Sequence, residues 1–468
     1  MGLCFRIRER RRPKYKKFLK LCYDIDGSLV LDSIPRLISY VGANKEQLTG
    51  IGRTLEKYCK KDLKKKRQKA VISNFEIFKA LIKNCSADMA LFALHVIHAV
   101  QHALSSKVLD NRLLGMDLLS HYIAHQDESM HYSTAYLFIE PITRFCTAPV
   151  VAHNGDVRLQ EREAALRTLA IFCKHMPSCI ADHAAPVLQA VLRNVSLDTV
   201  LLCSEKILST WKVVPVDVSA VAQNCMMELM HHTVISSLRS VMETLFYSLD
   251  EISPNLDRQF GWESQSVQIL LVCAASAVPS SLSYLFLSHL VFHISHVDSI
   301  ARKVAILKIA SRAVPHLTGS IALSGALIVK TLLLQLHKVH GDMAEVDALL
   351  KEVSHFIELL SPFLTSPELR AETVKYVAAH IEKTSQPDWL PFLLSILYAL
   401  IQSTLSYSKN VLALLSHLAA DPLSTPRTRA AALQCLARMV DPASSTSAFS
   451  LSEDPATLML QWSSLPRS

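Results

Sequence analysis

An all-α HEAT/armadillo-like α-solenoid rod is the fold this sequence predicts, and three observations predict it. Glycine is scarce, at 11 of 468 residues, far below the average usage of roughly 7%. Apolar residues recur at three- and four-residue steps over one helix-length stretch after another, and no stretch alternates with period two. An Arg-led pattern also repeats along the chain. The composition agrees: 50% of residues are hydrophobic, 19% are charged, and the mean hydropathy is +0.24. Such a chain buries much surface, and with so few glycines it does so by packing helices on helices.

Taken in order, the chain opens on MGLCFRIRERRRPKYKKFLK, with nine Lys/Arg and one acid, Glu9. This segment is expected to lack structure of its own or to form a short basic helix on a surface. YDIDGSL, residues 23–29, reads as a turn. Its Asp24, Asp26 and Gly27 resemble part of a calcium loop, but no glutamate follows at the required distance. A solvated loop is the expectation. Helical patterns then cover 31–42, 45–59, 70–85 and 89–104. Polar or proline-bearing connectors separate the later ones: HQDES, HMPS, VVPVD, ISPNLD, TSPE and SQPD.

The repeat starts at Arg112, Arg162, Arg302, Arg370 and Arg429. Each Arg is followed by two residues, a small residue, an aliphatic, two residues, an aliphatic and a small residue. Asp110, Asp156, Asp298, Pro367 or Pro426 stands shortly before. The first two starts are 50 residues apart, near the ~40–47 of HEAT and armadillo units. The pattern looks like the second helix of a HEAT repeat. Its small residues admit a neighbouring helix, and its Arg can pair with the acid of an adjacent turn.

Two charge-free stretches, 264–297 and 390–407, approach the length of a membrane span, about 20 apolar residues. Pro279, Ser280 and Ser281 break the first, which also carries His289, His293 and His296. Pro391, Gln402, Ser403 and Thr404 interrupt the second. Buried helices are the expectation for both. The domain reading is therefore a basic, Cys-bearing anchoring segment at 1–30, HEAT/armadillo-like helical repeats at 31–440, and a Ser/Pro-rich flexible tail at 441–468.

Catalytic signatures are missing. The sequence has no Walker A run, GxGxxG, GxSxG or HExxH. The 11 cysteines form no CxxC, and a charged N-terminus does not suit a secretory signal. Reduced, mostly buried thiols are expected, with Cys4 as the exception. His95, His98 and His102 share a helical face, yet no acid follows at helical spacing to complete a zinc set. Satisfied or partly exposed histidines are expected, with no metal and no cofactor.

Charge carries the functional signal. Residues 1–70 hold 20 Lys/Arg against 7 Asp/Glu, while the rest of the chain is mildly acidic, 29 against 34. A basic head of this kind suits a polyanionic surface. Each Lys or Arg near an anionic leaflet contributes about 1 kcal/mol, and a single acyl chain needs such a second signal for stable anchoring. Cys4 is the candidate lipidation site. The candidate membrane-binding residues are Arg6, Arg8, Arg10, Arg11, Arg12, Lys14, Lys16, Lys17 and Lys20, then Lys60, Lys61, Lys64, Lys65, Lys66, Arg67 and Lys69. Gly2 is a poorer acylation site, because its motif wants Ser or Thr where Arg6 stands. Nucleic acid would use the same charges on phosphates.

The head also resembles a known family. Cys4 is followed by Arg12-Pro13-Lys14-Tyr15-Lys16-Lys17, then by Ile51-Gly52, Leu55, Asp62-Leu63 and Arg67. Over roughly the first 85 residues this is similar to the Rolling blackout (Eighty-five Requiring) proteins, the plasma-membrane anchors of the type III phosphatidylinositol 4-kinase complex. The resemblance implies a non-enzymatic scaffold on the cytoplasmic side of the plasma membrane, peripheral and lipid-anchored. It would be held by anionic phospholipids and would recruit the kinase through its tetratricopeptide-repeat adaptor. Two departures stand out: Cys4 is alone where many members have a cysteine cluster, and the chain is short where the adaptor binds. The alternatives are a HEAT-repeat adaptor binding nucleic acid or transport cargo through the same basic head, and an enzyme with an unrecognised site. Stacking aromatics are sparse near the basic runs, so no nucleic acid is expected, and glycine poverty counts against the enzyme.

Overall fold

The computed structural model describes residues 13–126, 135–148, 155–195, 218–251, 261–317, 321–336, 339, 342–384, 387–401 and 409–440. Among these the protein is all-α. The only β pairing among the described residues is an isolated antiparallel bridge between Tyr23 and Leu29. The chain divides into two compact units, residues 1–237 and 238–468.

The first unit begins with α1 (Tyr15–Leu21), α2 (Ile34–Ala43), α3 (Leu48–Lys64) and α4 (Gln68–Asn84). It continues with α5 (Ala93–Leu104), α6 (Leu109–Ala124), α7 (Ile139–Thr147) and α8 (Gly155–His175). The short α9 (Pro177–Asp182), α10 (Ala184–Val195) and α11 (Val218–His232) complete it. The helices match the sequence patterns, but several start later. Residues 31–33, 45–47 and 86–91 form 3-10 turns that lead into α2, α3 and α5. Pro35 sits in the first turn of α2, where its missing N–H costs nothing.

From α3 on, the helices pair as hairpins: α3 with α4, α5 with α6, α7 with α8, and α10 with α11. The second helices form a continuous layer, α4 on α6 on α8 on α11, and the first helices stack as α3 on α5 and α7 on α10. Large side chains fill the space between the layers, with Phe75, Phe78, Phe92, Phe138 and Phe172 all fully buried. Each such side chain contributes about 1.5–3 kcal/mol relative to exposure.

The second unit holds α12 (Ile235–Glu251), α13 (Gln265–Ala277), α14 (Ser283–His293), α15 (Ile300–Ala313) and α16 (Ile321–Leu336). It ends with α17 (Met343–Leu360), α18 (Pro367–Lys383), α19 (Leu390–Leu400), α20 (Lys409–Ala420) and α21 (Pro426–Val440). One layer runs α13, α15, α17, α19, α21, and the other α14, α16, α18, α20. Two helix starts are capped by serine. Ser299 Oγ accepts from the Arg302 N–H at 3.5 Å, and Ser366 Oγ from the Leu369 N–H at 3.4 Å. Pro367 follows at the first helical position, so the TSPE connector is a helix start.

The Arg-led pattern marks packed helices. Its small residues Gly115, Ala165, Ala305, Thr373 and Ala432 are all buried. Arg112, Arg162 and Arg370 reach partners other than the acid or proline that precedes them. Arg112 ion-pairs with Glu161 on α8 and bonds the Ser106 carbonyl at 2.9 Å. Arg162 bonds the Ala148 carbonyl and, at 3.1 Å, Asn194. Arg370 bonds the carbonyls of Leu364, at 3.0 Å, and Ser361. A buried guanidinium has five donors to satisfy, and the open carbonyls of a neighbouring turn supply more acceptors than one aspartate can. Arg370 also lies on the first helix of its pair, α18, so the pattern records close approach and not position within a repeat.

As far as they are described the charge-free stretches form packed helices, and residues 402–407 of the second lie outside the described residues. Among the described residues no single helix is long and apolar enough to cross a membrane. The pair Gln265–Ala277 and Ser280–His296 qualifies only jointly, across a 112° bend. Val267, Leu270, Leu271, Phe286, Leu287 and Leu290 on it are buried. The second stretch gives the eleven-residue α19, with Leu393, Leu394 and Leu397 buried.

Candidate functional site

The basic residues of the head are placed by the way α1 docks. Tyr15, Leu19 and Cys22 are buried, and the segment runs alongside α3. At one end Tyr15 lies against Gly50, where an added Cβ would sit 3.1 Å from the Tyr15 hydroxyl. At the other end Tyr23 meets the Tyr58 ring, with centroids 6.1 Å apart. With its apolar side turned inward, α1 leaves Lys14, Lys17 and Lys20 exposed and Lys16 half-buried. Phe18 stacks on Tyr40 at 4.6 Å. Cys4, Arg6, Arg8, Arg10, Arg11 and Arg12 lie outside the described residues, as does the tail 441–468.

The second basic run forms the end of α3 and the turn into α4. Lys60, Lys61, Lys64, Lys65, Lys66, Arg67 and Lys69 are all exposed. The turn is a Schellman motif. The Arg67 N–H bonds the Asp62 carbonyl at 3.0 Å and the Lys66 N–H bonds the Leu63 carbonyl at 3.3 Å. This motif needs a left-handed residue at its centre, usually glycine. Here Lys66 occupies it, with φ of 54°.

Between the two runs residues 22–30 make a braced hairpin. The Val30 N–H bonds the Cys22 carbonyl and the Asp24 N–H bonds the Ser28 carbonyl, both at 2.9 Å. Gly27 has φ of 85°, and its carbonyl accepts from Ser73 Oγ at 2.9 Å. Asp26 accepts from Ser28 Oγ at 2.6 Å and pairs with Lys69 at 2.7 Å. The Lys69 ammonium, helped by Ser28, holds the Asp26 carboxyl well below the usual range. Below the hairpin, Tyr23 donates to Asn74 Oδ1 at 2.5 Å, and Asn74 donates to buried Asp62 at 3.2 Å. Ile25 at the tip is fully exposed, and Leu31 is 71% exposed. A solvated turn is the expectation for 23–29, and the D-I-D-G string is the one signal in the sequence for an apolar residue at its apex.

Cys22 is no acylation site. It is fully buried, its Sγ donates to the Phe18 carbonyl at 3.4 Å, and burial pushes its thiol up to about 11. Among the described cysteines all are unpaired, and all but the half-buried Cys273 are buried.

The histidine face of α5 meets an acid that spacing along one helix could not reveal. Glu56 on α3 lies 2.6 Å from His95 Nδ1 and 3.3 Å from His98 Nδ1. Gly52, one turn earlier, allows this approach, since a Cβ there would lie 3.0 Å from His95 and from Phe92.

Stacked helical hairpins with a basic, lysine-rimmed end define the class as an armadillo-type repeat protein. The model of the EFR3 armadillo repeat matches residues 34–357, and the chain belongs to this EFR3 (Rolling blackout) family. A crystal structure of Efr3 superposes with a TM-score of 0.58 at 15% identity, over 87% of this chain and 75% of that one. Protein EFR3 of Yarrowia lipolytica is 31% identical over 101 residues, 20% of this chain and 12% of that protein's length. A crystal structure of a Kap121p mutant aligns at a TM-score of 0.41 and 10% identity, over 91% of this chain and 42% of that one.

Proposed function

We propose that this chain is a non-enzymatic scaffold. Its basic end and an acyl group on Cys4 hold it on the cytoplasmic side of the plasma membrane, where it recruits a phosphatidylinositol 4-kinase complex through a tetratricopeptide-repeat adaptor. Family membership supports the scaffold role. The observation that carries the membrane reading is the hairpin tip: a fully exposed Ile25 held between two exposed lysine runs. Cations on long stems meet anionic headgroups, and an apolar tip among them reaches the acyl boundary as interfacial segments do. Among the described residues of the head, the inward-turned Tyr15 and the Phe18–Tyr40 stack leave no row of free aromatic faces for bases, which single-stranded nucleic-acid binders use.

Liposome flotation tests the reading. Unmodified protein should float with anionic liposomes at low salt and leave them near 1 M, where the Debye length is about 3 Å. Protein from cells should keep a salt-resistant fraction that Cys4→Ser removes, since acyl burial is not screened. Ile25→Ser should weaken flotation at low salt without changing the fold. In cells the kinase should leave the plasma membrane when residues 1–20 are deleted. Salt-resistant attachment of both Cys4→Ser and the deletion would refute N-terminal anchoring, and RNA binding without flotation would favour the nucleic-acid adaptor.

A further inference from the structure

We propose that Glu56, His95 and His98 form a binding site for a divalent cation of the zinc class. Three potential ligand atoms, one carboxylate oxygen and two imidazole nitrogens, lie within 4.8 Å of one another. Two imidazoles and one carboxylate are the ligand set of three-ligand zinc sites that keep an open position. The spacing fits. Tetrahedral zinc with bonds of about 2.0–2.1 Å places neighbouring ligands about 3.3 Å apart, and the His98 Nδ1–Glu56 Oε1 distance is 3.3 Å. His95 Nδ1 lies 2.6 Å from the other carboxylate oxygen, Oε2, so a small turn of the Glu56 carboxylate brings one oxygen and both ring nitrogens, already within 4.8 Å of one another, to a common ion.

The site is built into the helix packing. His95 and His98 stand at i and i+3 on α5, so their rings share a face. Glu56 reaches them from α3 because Gly52 brings the two helices close. His95 is 11% exposed at its side chain, which fixes one ligand. His98 at 40% and Glu56 at 21% leave the outer side open to water or a fourth ligand.

The ligand set selects the kind of ion. Calcium and magnesium take oxygen ligands almost throughout, so a site of one carboxylate and two imidazoles does not suit them. Imidazole suits zinc, copper and nickel.

Zinc titration of the full chain against a chromogenic chelator tests this, with Co²⁺ absorption reporting coordination. The parent should bind one zinc ion saturably, and Co²⁺ should give a tetrahedral visible spectrum. Glu56→Gln and His98→Ala should each weaken binding by at least the roughly 10–100-fold that loss of even an outer-shell partner costs. His121→Ala, at a surface histidine that stacks on His125, should leave binding unchanged. Circular dichroism checks that the variants keep their helices, and both altered positions are partly exposed. Unchanged zinc affinity in both variants, or no saturable binding by the parent at micromolar zinc, overturns the site.

Discussion

Arg112 on α6 is ion-paired with Glu161 on α8, and the Glu161 side chain is fully buried. The pair joins two successive helices of one layer. Arg158 adds a second cation at 2.6 Å. A buried carboxylate is tolerable only because both guanidinium groups offset its desolvation. Removing it leaves Arg112, only 12% exposed, with no counter-charge. Glu161→Ala should therefore cost about 3–5 kcal/mol in urea unfolding. A double change of Arg112 and Glu161 to Met and Leu should cost less than Glu161→Ala alone. If the double variant is the less stable, the pair stabilises in its own right and the desolvation argument fails.

Glycine-to-alanine changes should have opposite signs at two helical sites. Alanine is favoured over glycine in a helix by about 0.8–1.0 kcal/mol. Nothing lies within 4 Å of a Cβ at Gly42, so Gly42→Ala should stabilise by about that propensity difference. At Gly115 a Cβ would meet Ala103 Cβ at 2.9 Å. Here overpacking of about 1–3 kcal/mol should exceed the propensity gain, and Gly115→Ala should destabilise. Thermal melts of the two variants decide. Ala165→Leu, Ala305→Leu and Ala432→Leu fill buried contacts of the same kind and should each cost about 1–3 kcal/mol. If all three melt like the parent, these positions are not tight contacts.

The helices were legible because their burial is one-sided. Leu48, Ile51, Leu55 and Cys59 are buried on α3, and a 3.6-residue period announces them. The basic rim was legible as composition. What escaped depends on residues distant in sequence or on backbone angles. Glu56 and His95 are 39 positions apart, and nothing near either names the other. Lys66 sits where a glycine would have signalled the turn. Arg370 satisfied the repeat pattern on the wrong helix of its pair, because a small residue and an Arg record a tight contact in either layer.

Acid should weaken the second unit through Asp250. Its carboxylate accepts from Trp262 Nε1 at 2.8 Å and contacts His293 Nε2 at 2.9 Å. Burial pushes its pKa up, but the His293 ring beside it and the Trp262 N–H outweigh this and hold it below the ordinary 3.8. A depressed folded-state value adds stability that is complete above the unfolded value and is lost as pH falls through the folded one. Melting temperature should therefore fall more steeply below about pH 4 in the parent than in Asp250→Asn. The variant should start lower at pH 7, by about 1 kcal/mol for a partly exposed hydrogen-bonded group. Parallel pH curves for the two would exclude Asp250 as the source.

Lys66 should trade stability for membrane affinity. With φ of 54° it sits in the left-handed region, which costs a non-glycine residue about 1–2 kcal/mol. Glycine removes that strain but gives back about 0.4–1 kcal/mol through the freer unfolded chain. Lys66→Gly should thus leave the protein as stable or up to about 1.6 kcal/mol more so. It also removes one exposed cation from the rim. If the rim faces an anionic leaflet, that cation contributes about 1 kcal/mol, so liposome partitioning at low salt should drop several-fold. Loss of stability would mean that the lysine stem makes contacts beyond the turn. Higher stability with unchanged partitioning would place the α3–α4 turn away from the membrane, leaving α1 and Ile25 to make the contact.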